Sequence, residues 1–230
     1  EQPSYISDFP NQVGHWQDLV GTAEKKNDSA GLWIANTKQG TNLESVSINL
    51  DAREQSSGDL ELTFLYEGQS NFGLVFRGDK QKTSQWQSFA YNRDGRWQLG
   101  QPGGKWLTNI PGPTLLSGQQ YKLLVRYDGK KIQTFLNDQL FYENEEVHYP
   151  DGTSINDDWT GAVGIRLFGN LSKLNIISMK SGPVGSIPVI DSSAEYRELK
   201  EKWRNQLVSK EYDSTNQALV DYVRSEEHTS

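Results

Sequence analysis

Along most of this chain, up to about Gly182, apolar and polar residues alternate with a period of two, and glycine-bearing turns interrupt the runs. Leu60-Glu61-Leu62-Thr63-Phe64 alternates without a break. Phe72, Leu74 and Phe76 fall on one face of their run, while Gly73, Val75 and Arg77 fall on the other. Tyr121, Leu123, Val125 and Tyr127 share a further apolar face. This is the period of half-buried strands, in which successive side chains point to opposite sides. Asp128-Gly129, Asn137-Asp138 and Arg93-Asp94-Gly95-Arg96 are hairpin signals between such runs. Late runs cover Ala162 to Phe168 and Leu171 to Met179. So many short strands, with turns this frequent, predict an all-β fold: a two-sheet antiparallel sandwich of jelly-roll type over residues 1–181.

The pattern then changes. Ser181-Gly182-Pro183-Val184-Gly185-Ser186 reads as a linker, taken as 182–191. Ser192 and Glu195 have capping-box spacing, and Tyr196, Leu199, Trp203 and Leu207 recur on one helical face. A lone helix of this length is marginal in water, so that face needs a partner. Both the sandwich and a further domain downstream can supply one. A second helix start lies at Asp213 to Asn216 and runs through Leu219 and Tyr222, so 192–223 are expected to open a helical domain. The last residues, Arg224 to Ser230, have the look of translated sequencing-adapter read-through.

Composition narrows the chemistry. The 230 residues include no cysteine, which excludes disulfides and thiolate metal sites and suits an exported bacterial protein. A secreted or cell-surface location is expected. The longest apolar runs are too short for insertion in a bilayer. A net charge of −7 gives no reason to expect nucleic acid as a partner. Seven Trp and ten Tyr suit a sandwich core and a sugar-binding surface equally well.

Several stretches are similar to concanavalin-like jelly rolls of the laminin-G and glucanase kind. They are Asn71-Phe-Gly-Leu-Val-Phe-Arg77, Gln87 to Tyr91, Gly95 to Gln98, Tyr121 to Gly129, Thr134 to Asn137 and Gly161 to Arg166. That fold hosts lectins, carbohydrate-binding modules and enzymes. Ala194-Glu-Tyr-Arg-Glu-Leu-Lys-Glu-Lys-Trp203, with Gln206-Leu207 and Tyr212-Asp213, resembles the opening of the α-domain in the hyaluronate, chondroitin AC and xanthan lyase family. Val208-Ser209 departs from that family's Thr-Gly. The resemblance implies a non-catalytic module that binds an acidic polysaccharide such as hyaluronan or chondroitin, joined to a downstream catalytic domain. It implies no catalytic residue within this chain.

Residues 71–135 contain ten cations and three anions, a local +7. The cations are Arg77, Lys80, Lys82, Arg93, Arg96, Lys105, Lys122, Arg126, Lys130 and Lys131. Guanidinium groups pair bidentately with uronate carboxylates, and the interleaved aromatics can stack on sugar rings. The competing reading is a solvated surface with scattered charge. Arg77 and Arg166 each point away from the apolar face of their strand and are expected on one solvent face. Trp97, Trp16 and Trp33 are expected in the core, which leaves Trp86 and Trp106 for stacking. The candidate ligand-binding set is therefore Arg77, Trp86, Tyr91, Arg93, Arg96, Lys105, Trp106 and Arg166.

No cofactor is expected. The acids from Glu143 to Asp158 offer oxygen ligands for calcium, but a solvated acidic loop is the preferred reading. The Glu-x-Asp-x-x-Glu strand of glucanases on this fold is missing from the sequence. An intrinsic glycan-cleaving enzyme and a structural or adhesion domain stay as alternatives.

Overall fold

The computed structural model of the chain describes residues 5–6, 13–29, 31–36 and 43–209. The Asp213 helix start and the 224–230 tail lie outside the described residues. Fifteen strands run β1 (Tyr5–Ile6), β2 (Trp16–Val20), β3 (Glu24–Asn27), β4 (Leu32–Ala35), β5 (Glu44–Asn49), β6 (Gly58–Tyr66), β7 (Asn71–Gly78), β8 (Gln87–Tyr91), β9 (Trp97–Gln101), β10 (Lys105–Ile110), β11 (Gln119–Asp128), β12 (Lys131–Leu136), β13 (Gln139–Asn144), β14 (Ala162–Phe168) and β15 (Lys173–Gly182). One sheet, called the back sheet here, has the order β13-β12-β11-β6-β15-β4-β3, with β1 also paired to β15. The other, the front sheet, has the order β10-β9-β8-β7-β14-β5-β2. In both, strands distant in sequence lie side by side: β6 sits between β11 and β15, and β14 between β7 and β5. The sandwich is therefore wound as a jelly roll, and all its pairings are antiparallel.

The expected turns form for local reasons. Asn137 and Asp138 both adopt positive φ (47° and 68°) between the paired residues Leu136 and Gln139. That is the backbone of a two-residue type I′ turn, whose hand matches the strand twist. The alternation places Phe72, Leu74, Phe76, Phe89, Val163, Ile165 and Leu167 of the front sheet against Leu60, Leu62, Phe64, Leu123, Val125 and Ile176 of the back sheet. Trp97 lies in this core stacked on Phe89, with its indole N–H donated to Pro113 O at 3.0 Å. Trp16 joins the same core. Trp33 does not. Its neighbours Leu32 and Ile34 point inward, so Trp33 faces outward, half-buried, with Lys26 Nζ 4.3 Å from its ring.

The segment after β15 is a packed strap. Buried Ile187 rests on Leu124, Phe135 and Leu140 of the back sheet's outer face. Asp59, wholly buried, accepts from Arg126 Nε (2.7 Å) and Nη2 (3.0 Å) and from Ile187 N (3.0 Å). Arg126 Nη2 donates in turn to Ile187 O at 3.0 Å. A helix, α1, covers 193–209 of the described residues. Its apolar face is covered by the sandwich: Tyr196, Leu199 and Trp203 join the central core, Trp203 meets Phe141 edge-on at 6.4 Å, and Leu207 is buried. Ser192 does not act through the expected capping box. Its hydroxyl accepts from Leu140 N (2.8 Å) and donates to Asp138 O (3.2 Å), which anchors the helix start on β13. Asp191 instead receives Ser193 N and Oγ, and these bonds hold its carboxyl below the usual range. Among the described residues, no helix is long and apolar enough to cross a membrane.

Candidate functional site

The outer face of the front sheet is built on small residues. Strand register aligns Val46, Arg166, Gly73, Ala90 and Gln98 in one cross-strand row, and Ile48, Gly164, Val75, Ser88, Gly100 and Trp106 in the next. Gly73 and Ala90 touch so closely that a Cβ on Gly73 would meet the Ala90 methyl. A Cβ on Gly100 would overlap the indole of Trp106, so that ring lies flat on the sheet because position 100 is glycine.

Arg166 crosses this floor. Its Nε donates to Glu44 Oε2 at 2.7 Å, and its guanidinium carbon lies 4.1 Å from the Phe168 ring, 4.6 Å from Trp106 and 5.7 Å from Trp86. Desolvation lowers its pKa, with Glu44 opposing the shift. Guanidinium over indole is a favourable quadrupole contact, strengthened where water is excluded. Arg166 Nη1 and Ser88 Oγ are buried with no hydrogen-bond partner among the described residues.

The end of the face near the β8–β9 turn is polar. A cavity of about 240 Å³ is lined by Asn92, Arg96, Trp97, Gln98, Thr108 and Asn109. It is smaller than the ~300–1,000 Å³ of drug-sized pockets, on the scale of one sugar ring. Arg96 is held by the Asp94 carboxylate and by Asn109 Oδ1 (2.7 Å). On the same β8–β9 turn, Arg93 is exposed. Its Nε points to Asn71 Oδ1 (3.3 Å) and its Nη2 to Asn170 O (3.2 Å) and Ser172 Oγ (3.4 Å).

The eight residues expected from sequence do not converge as a set. Trp106 and Arg166 meet on the outer face. Arg96 lines the polar cavity with Asn92, Trp97, Gln98, Thr108 and Asn109, while Arg93, covalently next to Asn92, is held by Asn71 outside that lining. Gln98 shares a face with Arg96 by the two-residue alternation of its strand; the asparagines carry no such signal. Trp86 is 2% exposed and packs with Leu19, Val46, Ile48, Val75 and Ala162 under the 79–86 turn, so it offers no open platform. Tyr91 is a core residue. Its hydroxyl accepts from Leu115 N at 3.1 Å, and burial pushes its pKa up to about 12. Lys105 is drawn away to Asp151, whose exposed carboxyl that bond, with Thr153, holds well below its usual range.

Arg77 requires the largest correction. A register shift between its strand and β14 leaves Arg77 at φ 53°, which reverses the alternation and turns the side chain into the end of the sandwich. There it is 0% exposed and donates to Ser56 O (2.7 Å), Gly129 O (2.8 Å), Gln87 Oε1 (2.9 Å) and Asn156 O (3.2 Å). Its carbon lies 5.2 Å from the Tyr127 ring. It does not share a solvent face with Arg166.

The basic stretch is also corrected in space. Lys80, Arg96, Lys105, Lys122, Arg126, Lys130 and Lys131 face Glu54, Asp94, Asp151, Asp138, Asp59, Glu146 and Glu145 respectively. With Arg77 buried, only Lys82 and Arg93 of the ten lack a carboxylate partner among the described residues, and both are exposed. Among the described residues no three acids or histidines converge to hold a metal, and Glu145, Glu146 and Asp151 of the 143–158 acids serve these pairs.

No family model matches the chain. By structure it resembles a Bacillus subtilis protein of unknown function with a galectin-like fold, at 12% identity and TM-score 0.60, covering 79% of this chain and 96% of that one. It also resembles the carbohydrate binding module CBM66 from Bacillus subtilis, at 16% identity and TM-score 0.50, covering 71% and 96%. A third likeness is to LamAcat from Zobellia galactanivorans, at 9% identity and TM-score 0.54, covering 79% and 98%. These likenesses place the fold among galectin-like jelly rolls. Over 224 residues the chain is 99% identical to the hyaluronate lyase HylB of Enterococcus faecalis, a match that takes in 97% of this chain and 22% of that protein's length, so the chain spans about a fifth of the relative it matches.

Proposed function

We propose that the chain is a non-catalytic module that binds an acidic polysaccharide, hyaluronan first among the candidates, across the outer face of the front sheet. It would act outside the cell and hold an attached lyase domain on its polymer, raising the effective substrate concentration there. The observation that carries this reading is the near-identity with HylB over a stretch that folds on a core of its own. The face supports it: an aromatic ring laid flat by Gly100, a floor of small residues, and a polar cavity at one end. The carboxylates of Glu44 and Asp94 on this face are each neutralised by an arginine, whereas two-carboxylate glycoside hydrolysis needs one acid kept protonated.

Titrating the chain with hyaluronan oligosaccharides by calorimetry and tryptophan fluorescence tests this. Saturable binding is expected, with a Trp106 response and no unsaturated product on long incubation. Absence of heat and of any fluorescence change at millimolar oligosaccharide and low salt would sink it.

A further inference from the structure

Resting on the reading just given, we infer that Arg93 recognises the acid of an acidic sugar, and that the cavity beside it takes the uncharged sugar next in the polymer. A guanidinium selects a carboxylate when it is exposed, oriented, and not already neutralised. Most cations of the 71–135 stretch fail the last condition, since they face carboxylates. Arg77 fails the first, and Arg166 is tied to Glu44. Lys82 is exposed on a turn, and among the described residues no hydrogen bond or ion pair orients its side chain.

Arg93 meets all three conditions. Its acceptors, Asn71 Oδ1, Asn170 O and Ser172 Oγ, are uncharged, so they orient the fork without cancelling its charge. It also lies against Gly169, where φ is 80° and a Cβ would come within 2.8 Å of Nη2. The glycine clears the space in which the guanidinium sits.

The neighbouring cavity has the opposite character. Arg96 is neutralised by Asp94, which leaves a dipolar lining of amides and a hydroxyl. Such a lining suits the hydroxyl and acetamido groups of a neutral sugar. Asn92 joins the two subsites: it is covalently next to Arg93, and its backbone N donates to Arg96 O at 2.7 Å. One charged and one neutral subsite, side by side, match a polymer that alternates a uronate with a neutral sugar. With a single uncompensated cation engaged, binding should weaken only gently with salt.

The test compares a hyaluronan hexasaccharide with its carboxyl-reduced form by calorimetry. The native chain should bind the acidic form about tenfold more tightly. Arg93→Gln should bind both forms alike, at the level of the reduced one, and Arg93→Lys should recover part of the preference. Asn92→Ala should weaken both forms equally. Raising NaCl from about 0.05 to about 0.5 M should cost the native–acidic pair less than about tenfold. Thermal melts identify any variant that fails to fold, and the two-ligand comparison on the native chain needs no variant. Equal affinity of the native chain for both forms, or a preference that survives in Arg93→Gln, would overturn this assignment and leave the proposed function standing. Failure of the native chain to bind either form would overturn both.

Discussion

Replacing Arg77 with alanine should unfold the chain far more readily than it blunts any ligand. The guanidinium donates to the carbonyls of Ser56, Gly129 and Asn156 and to Gln87 Oε1, and so ties three loops to the end of the sandwich. Asn156 O keeps a second donor, Gln87 Nε2 at 2.7 Å, which leaves three acceptors deprived. A buried acceptor without its donor costs about 1–3 kcal/mol. The low end applies, because removing the charge also relieves the desolvation that depresses the Arg77 pKa. Lost contact with Phe76 and Tyr127 adds about 1 kcal/mol. The sum is about 4 kcal/mol, a large fraction of the 5–15 kcal/mol typical of a domain and worth roughly 10 °C in melting temperature. The positive φ adds a sharper expectation. In an ordinary strand glycine is worse than alanine by about 0.5–1 kcal/mol, but here alanine must bear the left-handed conformation at about 1–2 kcal/mol. Arg77→Gly should therefore be no less stable than Arg77→Ala. Urea and thermal unfolding followed by tryptophan fluorescence would measure both. A melting temperature for Arg77→Ala within about 2 °C of the native value would refute the reasoning.

Trp203→Ala should cost about 3 kcal/mol, since the indole seals α1 against Phe141; far-ultraviolet circular dichroism should show helix loss before the sheets melt, and a single coincident transition would contradict that order. Asp59→Ala leaves Arg126 without its buried carboxylate and should destabilise by about 3–5 kcal/mol. Limited proteolysis should then cut first in the strap around Ile187, and cleavage elsewhere would count against the strap being held there. Tyr91 and Tyr127 both have pKa values raised to about 12 by burial. Their raised values favour the protonated fold, so this stability is complete below pH about 10 and falls as pH climbs toward 12, by about 1.4 kcal/mol per unit for each tyrosine. Chemical denaturation at stepped alkaline pH reads the slope, and a flat profile would exclude it.

Where a strand runs undistorted, its period alone told inside from outside: Val163, Ile165 and Leu167 face the core and Arg166 faces away. The same rule misplaced Arg77, because a register shift in the pairing with β14 leaves no mark in the order of residues. Trp33 was misplaced for a different reason. Its hydrophobicity argued for the core, while its position between Leu32 and Ile34 argued for the surface, and position prevailed. The basic stretch looked like a polyanion site because all but one of its carboxylate partners lie outside it in sequence. Asp59, Glu54 and Asp151 meet it only when the sheets assemble. The helix was legible as amphipathic, but its partner was not, since covering it requires the Phe141 edge to exist first.

The pairing of distant charges has a practical consequence for binding experiments. In the native fold the +7 of residues 71–135 is largely cancelled by acids brought from elsewhere. In a partly denatured preparation those partners separate, and the stretch becomes a flexible polycation. It would then capture hyaluronan, heparin or any other polyanion by counterion release, steeply weakened by salt and indifferent to sugar identity. Retention on an acidic matrix that grows with mild heating or urea reports damaged protein. Recognition by the folded face should fade under the same treatment.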